Sequence, residues 1–296
     1  MAYLGEISAL ITAFLWSGTS IAFTSASTRI GSLQLNINRM LLAVILLFFT
    51  IIIANIDYSL SASQIYFLIL SGIAGLVLGD TFLFKAFQYI GARVGMIIMA
   101  LVPAISTILA FIFLDETISL AGMFGMVITL CGIYVVIIEK KEVHHSKVKT
   151  NKLGIFYGFL GALGQASGLI LAKFSFEEGI INGFVATFVR ISSSVVIMLI
   201  LTLLVKRYRN PIKIYSKDSK ALVATIVGTI LGPFLGITFS LISIEYTKVG
   251  IASTLMAMVP VIMLPLVRFC YKEKLSWRAI SGAFLAVGGV AILFLR

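Results

Sequence analysis

Residues 79–132 align without a gap on residues 236–289 at a constant offset of 157, and 14 of those 54 positions are identical. Gly79, Tyr89, Ala100, Pro103, Glu116, Ser119, Gly125 and Gly132 recur as Gly236, Tyr246, Ala257, Pro260, Glu273, Ser276, Gly282 and Gly289. The earlier segments correspond too. Gly5, Ala13 and Trp16 fall on Gly154, Ala162 and Gln165, and Arg39 falls on Arg190. The chain is one unit written twice, so its fold must pack two copies of that unit together.

The solvent of this fold is lipid. Apolar residues make up 60% of the chain and charged residues 12%, against about 45–50% and about 25% in soluble domains. A membrane-crossing helix needs about 20 predominantly apolar residues. Ten segments qualify: about 4–24, 36–55, 65–89, 95–114, 120–138, 153–173, 184–205, 221–244, 250–271 and 277–295. GARVG at 91–95 and TKVG at 247–250 read as tight glycine turns between them.

The expected organisation is a first five-helix repeat over 1–138, a linker at 139–152, and a second five-helix repeat over 153–296. Five is odd, so a contiguous second copy enters the membrane from the opposite side. Loop charges agree. Arg29 follows the first helix of copy one, whereas Glu177 and Glu178 follow that of copy two. Eleven of the 23 basic residues lie in 139–152 and 206–220, on the side that also holds Arg93, Arg268 and Arg278. Basic loops stay cytoplasmic, which places both termini outside and suits a bacterial-type inner membrane. The fold class is therefore all-α, ten transmembrane helices as two inverted five-helix repeats. Such layouts place a substrate site between the halves.

Several functions fall away. A net charge of +11 lies in loops rather than on a soluble basic face, so nucleic acid is not an expected partner. Cys131 and Cys270 sit alone in apolar runs, and His144 and His145 are neighbours in a charged loop, so neither pair suggests a metal site. No GxxxxGK[ST] loop and no intramembrane histidine occur, so neither ATP-driven transport nor an enzyme is expected, and no cofactor. Residues 1–6 lack the basic start of a cleavable signal, and the first segment reads as a retained helix.

Ionisable residues inside a span are functional candidates. Asp80 and Lys85 lie in the third span, where copy two has Ile237 and Ile242. Five helical residues separate them by about 140° around the axis, so they do not share a face. Asp80 is the candidate for substrate or proton handling. Lys85 either lines the pathway or snorkels to the interface. Trp16, Tyr89, Gln165 and Tyr246 are further candidates for pathway lining. Arg39 and Arg190 read as interfacial anchors, or as a gate or anion contact. Glu116 and Glu273 read as carboxylates at the N-termini of the fifth and tenth helices, or as gates. Pro103, Pro233 and Pro260 interrupt spans and are candidate hinges.

The segment GDTFLFKAFQYIGARVGMIIMALVPAISTILAFIFLDETIS at 79–119, with its echo at 236–276, resembles the EamA branch of the drug/metabolite transporter superfamily. The prolines, following carboxylates and downstream glycines fit that pattern in both copies. The resemblance implies a central cavity lined by helices 1, 3, 4, 6, 8 and 9, and a secondary transporter that exports a small metabolite, such as an amino acid or related solute, by alternating access. Its partners would be that solute and the lipid bilayer. A lipid or lipid-head-group translocator and a non-transporting membrane partner protein are the alternatives. Copy two departs by flanking Glu273 with Lys272 and Lys274, and by lacking counterparts of Asp80 and Lys85.

Overall fold

The computed structural model describes residues 3–139, 152–204, 208–271 and 276–295. No strand occurs among them. The helices are α1 (Leu4–Ile30), α2 (Ser32–Ile53), α3 (Ala62–Gly72), a π-helical segment π1 (Ile73–Gly79), α4 (Asp80–Met99), α5 (Val102–Phe113), α6 (Leu120–Glu139), α7 (Lys152–Glu177), α8 (Gly183–Leu204), the short α9 (Pro211–Tyr215), α10 (Ser219–Thr229), a second π segment π2 (Ile230–Gly236), α11 (Ile237–Tyr246), α12 (Val249–Met256), α13 (Val259–Tyr271) and α14 (Trp277–Leu295). Among the described residues, nine helices are long and apolar enough to cross a membrane, and Val102–Phe113 is a shorter apolar one. The protein is an all-α membrane protein whose crossings form two inverted five-helix repeats.

Every major packing pair joins the two copies. α1 packs on α10, π2 and α11, as α7 packs on α3, π1 and α4; α2 packs on α8, α5 on α12, and α6 on α14. The α6–α14 crossing displays the inversion most directly. A Cβ on Gly125 would lie 3.0 Å from the Gly289 carbonyl oxygen, and one on Gly282 would lie 3.0 Å from that of Gly132. Gly125 and Gly282 are counterparts, as are Gly132 and Gly289. The repeat thus maps the Gly125–Gly289 contact onto the Gly282–Gly132 contact, and the helices run antiparallel. Small residues let the backbones approach this closely in lipid. At their N-termini the same two helices carry matching caps: Ser119 accepts from the Gly122 N–H and Ser276 from that of Ala279, each at 3.1 Å.

The α1 and α7 contacts repeat in the same way. Gly5 abuts Tyr246 and Thr247, and Gly154 abuts Tyr89 and Ile90, which are their counterparts. Eleven residues further along each helix, Trp16 meets Gly236 and Gln165 meets Gly79.

π1 and π2 are themselves counterparts at the offset of 157. The Asp80 N–H donates to the Gly75 oxygen and the Ile237 N–H to the Gly232 oxygen, each five residues back. Pro233 lies inside π2, but Leu76 holds the matching place in π1, so proline is not the shared cause. What the segments share is Gly75 and Gly79, matched by Gly232 and Gly236. Against π1 the α7 backbone comes close: a Cβ on Gly164 would lie 2.8 Å from the Ala74 oxygen, and one on Gly168 3.0 Å from the Gly75 Cα.

The fourth and ninth crossings are broken at matching points, 100–101 and 257–258. The Leu101 N–H turns back to the Ile98 oxygen at 2.9 Å and the Met258 N–H to the Leu255 oxygen at 3.1 Å, a tight turn in both copies. Pro103 and Pro260 are therefore not mid-helix kinks as the sequence suggests. Each is the second residue of a new half-helix, α5 or α13, where its missing N–H has no intrahelical acceptor to satisfy. Pro265, within α13, is a true internal proline.

GARVG is also not a turn. α3, π1 and α4 follow one another without interruption from Ala62 to Met99, through 91–95. Glycine weakens a helix by about 1 kcal/mol against alanine but does not forbid it. TKVG does break: Thr247 is extended at φ −139° and ψ 167°. There the new helix start is stabilised by the Glu116 carboxylate, which accepts from the Val249 N–H at 2.8 Å.

Candidate functional site

One charged cluster within the spans is built from both copies. Arg39 lies seven residues after Ser32, where α2 begins, and Arg190 seven after Gly183, where α8 begins. Each is two turns inside its helix, deeper than an interfacial anchor. Asp80 is the first residue after π1 and is only 8% exposed. The Arg39 Nη2 donates to the Asp80 Oδ2 at 2.9 Å, forming an ion pair. Gln165 on α7 donates its Nε2 to the Asp80 Oδ1 at 2.7 Å and to the Gly75 oxygen at 3.0 Å. The wide turn of π1 therefore does two things: it turns Asp80 toward α2 and offers a backbone acceptor to the residue that orients Asp80. π segments inside α-helices recur at functional sites for this kind of local adjustment.

The Arg39 side chain is fixed from two further sides. Its Nε donates to the Asn36 Oδ1 at 2.8 Å, and its guanidinium lies 5.2 Å from the centre of the Phe23 ring. Arg190 is 3% exposed and lies within electrostatic reach of Asp80. Among the described residues its Nε has no hydrogen-bond partner. The absence of a side chain at Gly75 leaves room for it, since a Cβ there would stand 2.7 Å from the Arg190 Nη2.

The cluster thus gathers Asp80, Gln165, Arg39 and Arg190. The remaining candidates stand apart from it. Trp16 is half-buried, with its Nε1 beside Gly236. Lys85 is exposed, its Nζ 5.4 Å from the centre of the Tyr157 ring. Tyr89 also packs on Tyr157, at 5.7 Å between ring centres, and is 40% exposed; Tyr246 is 54% exposed. Pro233 is buried in π2. Glu273, His144 and His145 lie outside the described residues, as does the linker over 140–151.

Glu116 caps a helix, but not the one expected. The fifth helix is capped by Ser119, while Glu116 serves α12 of the other copy. Burial pushes its carboxyl above the usual range, and the Val249 N–H with Lys173 and Lys248 pulls the other way. Lys173 on α7 donates to the Ile244 oxygen at 2.7 Å, near the end of α11. At the start of the eighth crossing, Asp218 accepts from the Ala221 N–H at 2.9 Å and pairs with Arg29 at 3.1 Å. Those contacts hold its carboxyl below the ordinary value.

Three polar residues escaped the sequence reading. Gln34, Asn36 and Asn38 are all buried. Gln34 exchanges two hydrogen bonds with the Arg209 backbone, and Asn38 bonds the hydroxyls of Tyr208 and Tyr215. Gln34 and Asn38 thus tie α2 to the basic segment before α10, while Asn36 holds Arg39. The signal was present in QLNINR at 34–39, a polar stripe within an otherwise apolar helix. Among the described residues, no three His, Cys, Asp or Glu side chains gather as metal ligands would.

The EamA-like transporter family matches residues 3–138 and again residues 152–295. No curated sequence matches the chain. One solved protein structure superposes with a TM-score of 0.81 at 15% identity, covering 100% of this chain and 98% of the other, a likeness of fold alone. With its family matched twice along nearly the whole length, the chain belongs to the EamA-like transporter family.

Proposed function

We propose that the protein is a secondary transporter that moves a small polar metabolite, such as an amino acid or a related solute, across a bacterial-type cell membrane by alternating access. The observation that carries this reading is the Arg39–Asp80–Gln165 network, set within the spans around the buried Asp80 and contributed by both halves. Charged groups are expensive at such depth, and function is the usual reason a chain keeps them. The matched π segments and the matched breaks at 100–101 and 257–258 supply pairs of deformable points through which one half can rock against the other. Pro103, Pro233 and Pro260 belong to those points.

Loop charge supports cytoplasmic basic loops and external termini, and the family resemblance supports outward transport. The test is counterflow of labelled metabolites in proteoliposomes, with and without a pH gradient. Saturable uptake by the wild-type protein, abolished in Asp80→Asn, supports the proposal. Uptake unaffected by Asp80→Asn removes Asp80 from the mechanism.

A lipid substrate has one observation in its favour. A lateral groove of about 260 Å³ opens between α2 and α10, lined by Asn38, Leu41, Ile45, Tyr215, Leu222 and Ile226. Scrambling of fluorescent phospholipid in the same vesicles would select that reading over a water-soluble solute.

A further inference from the structure

The two copies treat their arginines differently. In copy one, Arg39 on α2 pairs with Asp80 just after π1. The matching pair in copy two would be Arg190 on α8 with residue 237 just after π2, and that residue is Ile237. Ile237 packs against both apolar cores. Arg190 is therefore half of an ion pair whose acid the sequence omits. Among the four clustered residues, two arginines face one carboxylate, which leaves one positive charge in excess. Lys85 does not enter this count, because it lies on Tyr157 away from the cluster. Among the described residues Arg190 makes no ion pair of its own, and its Nε is unpartnered at 3% exposure.

An unpaired buried charge is costly, and removing one member of a buried pair is among the most destabilising changes known. Guanidinium is also the side chain best shaped to hold a planar oxyanion through two parallel hydrogen bonds. We propose that Arg190 receives an oxyanion group of the transported solute, a carboxylate or a phosphate, which completes the ion pair that copy two lacks. The inference rests on the transporter reading and narrows its substrate to anions or zwitterions. Asp80 keeps Arg39 occupied, so among the described residues of the cluster Arg190 is the cation left for the solute.

The test is thermal unfolding of the purified full chain in detergent, titrated with sodium phosphate, sodium acetate or sodium succinate against sodium chloride at matched ionic strength. At least one oxyanion is expected to raise the Tm saturably. Phosphate acting alone identifies phosphate esters; acetate or succinate identifies carboxylates. Arg190→Gln should abolish the shift, and Arg190→Lys should raise the half-saturating concentration about tenfold or more, because the fork geometry is lost. Ile237→Asp supplies the missing acid internally and should also abolish the shift while Arg190 remains, which keeps the test decisive if Arg190→Gln fails to fold. An equal saturable shift in Arg190→Gln or Ile237→Asp, or no oxyanion shift in the wild type, overturns the inference. Counterflow separates this from the transporter reading. A neutral solute carried at an undiminished rate by Arg190→Gln sinks the anion claim alone, whereas anion binding without transport of any solute sinks the transporter.

Discussion

Arg39 reaches Asp80 across 2.9 Å, whereas its counterpart Arg190 has Ile237 where such an acid would stand. One carboxylate thus serves two guanidinium groups, one part-buried and one buried. Losing it leaves both uncompensated, while losing Arg39 leaves Asp80 still within reach of Arg190. Breaking a buried pair costs about 3–5 kcal/mol when the remaining charge has no partner. Asp80→Leu is therefore expected to lower stability by that order, and Arg39→Met by clearly less. Thermal melts in detergent measure the difference, and equal losses would show that Arg190 does not share Asp80.

Gln165 holds the same cluster from the other copy. Its amide donates to the Asp80 Oδ1 and to the Gly75 oxygen, so Gln165→Leu removes two hydrogen bonds from buried acceptors. Each buried group left unsatisfied costs about 1–3 kcal/mol. Because the Asp80 N–H still occupies the Gly75 oxygen, the loss should fall mainly on the orientation of Asp80. The expected result is a modest fall in Tm with a disproportionate fall in counterflow rate. A variant that loses Tm but transports normally would confine Gln165 to packing.

The repeat, the inversion and most span boundaries were legible in the sequence, because apolar length, loop charge and shared glycines act locally. The cluster was not. Arg39 and Asp80 are 41 residues apart, and Gln165 and Asp80 are 85 apart, so nothing local announces that they meet. Arg39 read as an anchor because a charge pulls the apparent span boundary toward itself; α2 in fact begins at Ser32. Glu116 was legible as a helix cap by chemistry but not by partner, since its acceptor role falls 133 residues away on Val249. The π segments left no trace beyond a glycine spacing, which in lipid normally denotes packing alone.

The α6–α14 crossing depends on glycine at contact positions and not elsewhere. A Cβ on Gly132 would stand 2.6 Å from the Gly282 oxygen, whereas one on Gly288 meets nothing within 4 Å. Overpacking a tight interface costs about 1–3 kcal/mol. Gly132→Ala is expected to lose stability in that range, and Gly288→Ala to lose none. Gly289→Ala, against the Gly125 oxygen at 2.6 Å, should resemble Gly132→Ala, because the two positions are counterparts. Melting curves of the three variants check the ordering, and a neutral Gly132→Ala would contradict the described closeness of α6 and α14.

The joint at Glu116 should make stability depend on pH with a definite sign. Burial raises its carboxyl above the unfolded value of 4.5, so the folded protein holds that proton more tightly than the unfolded chain. Stability contributed by the protonated group is full below 4.5 and declines as pH rises through the raised folded value. Glu116→Gln keeps an oxygen acceptor for the Val249 N–H and never carries the buried charge. Relative to Glu116→Gln, the wild type should therefore lose Tm as pH rises from about 4.5 toward neutrality, with the gap levelling off once Glu116 is fully ionised. Glu116→Ala removes the acceptor as well and should be less stable than Glu116→Gln at every pH, by about 1 kcal/mol for a lost helix cap. A wild-type advantage that instead grew with pH would mean that Lys173 and Lys248 outweigh burial at this site.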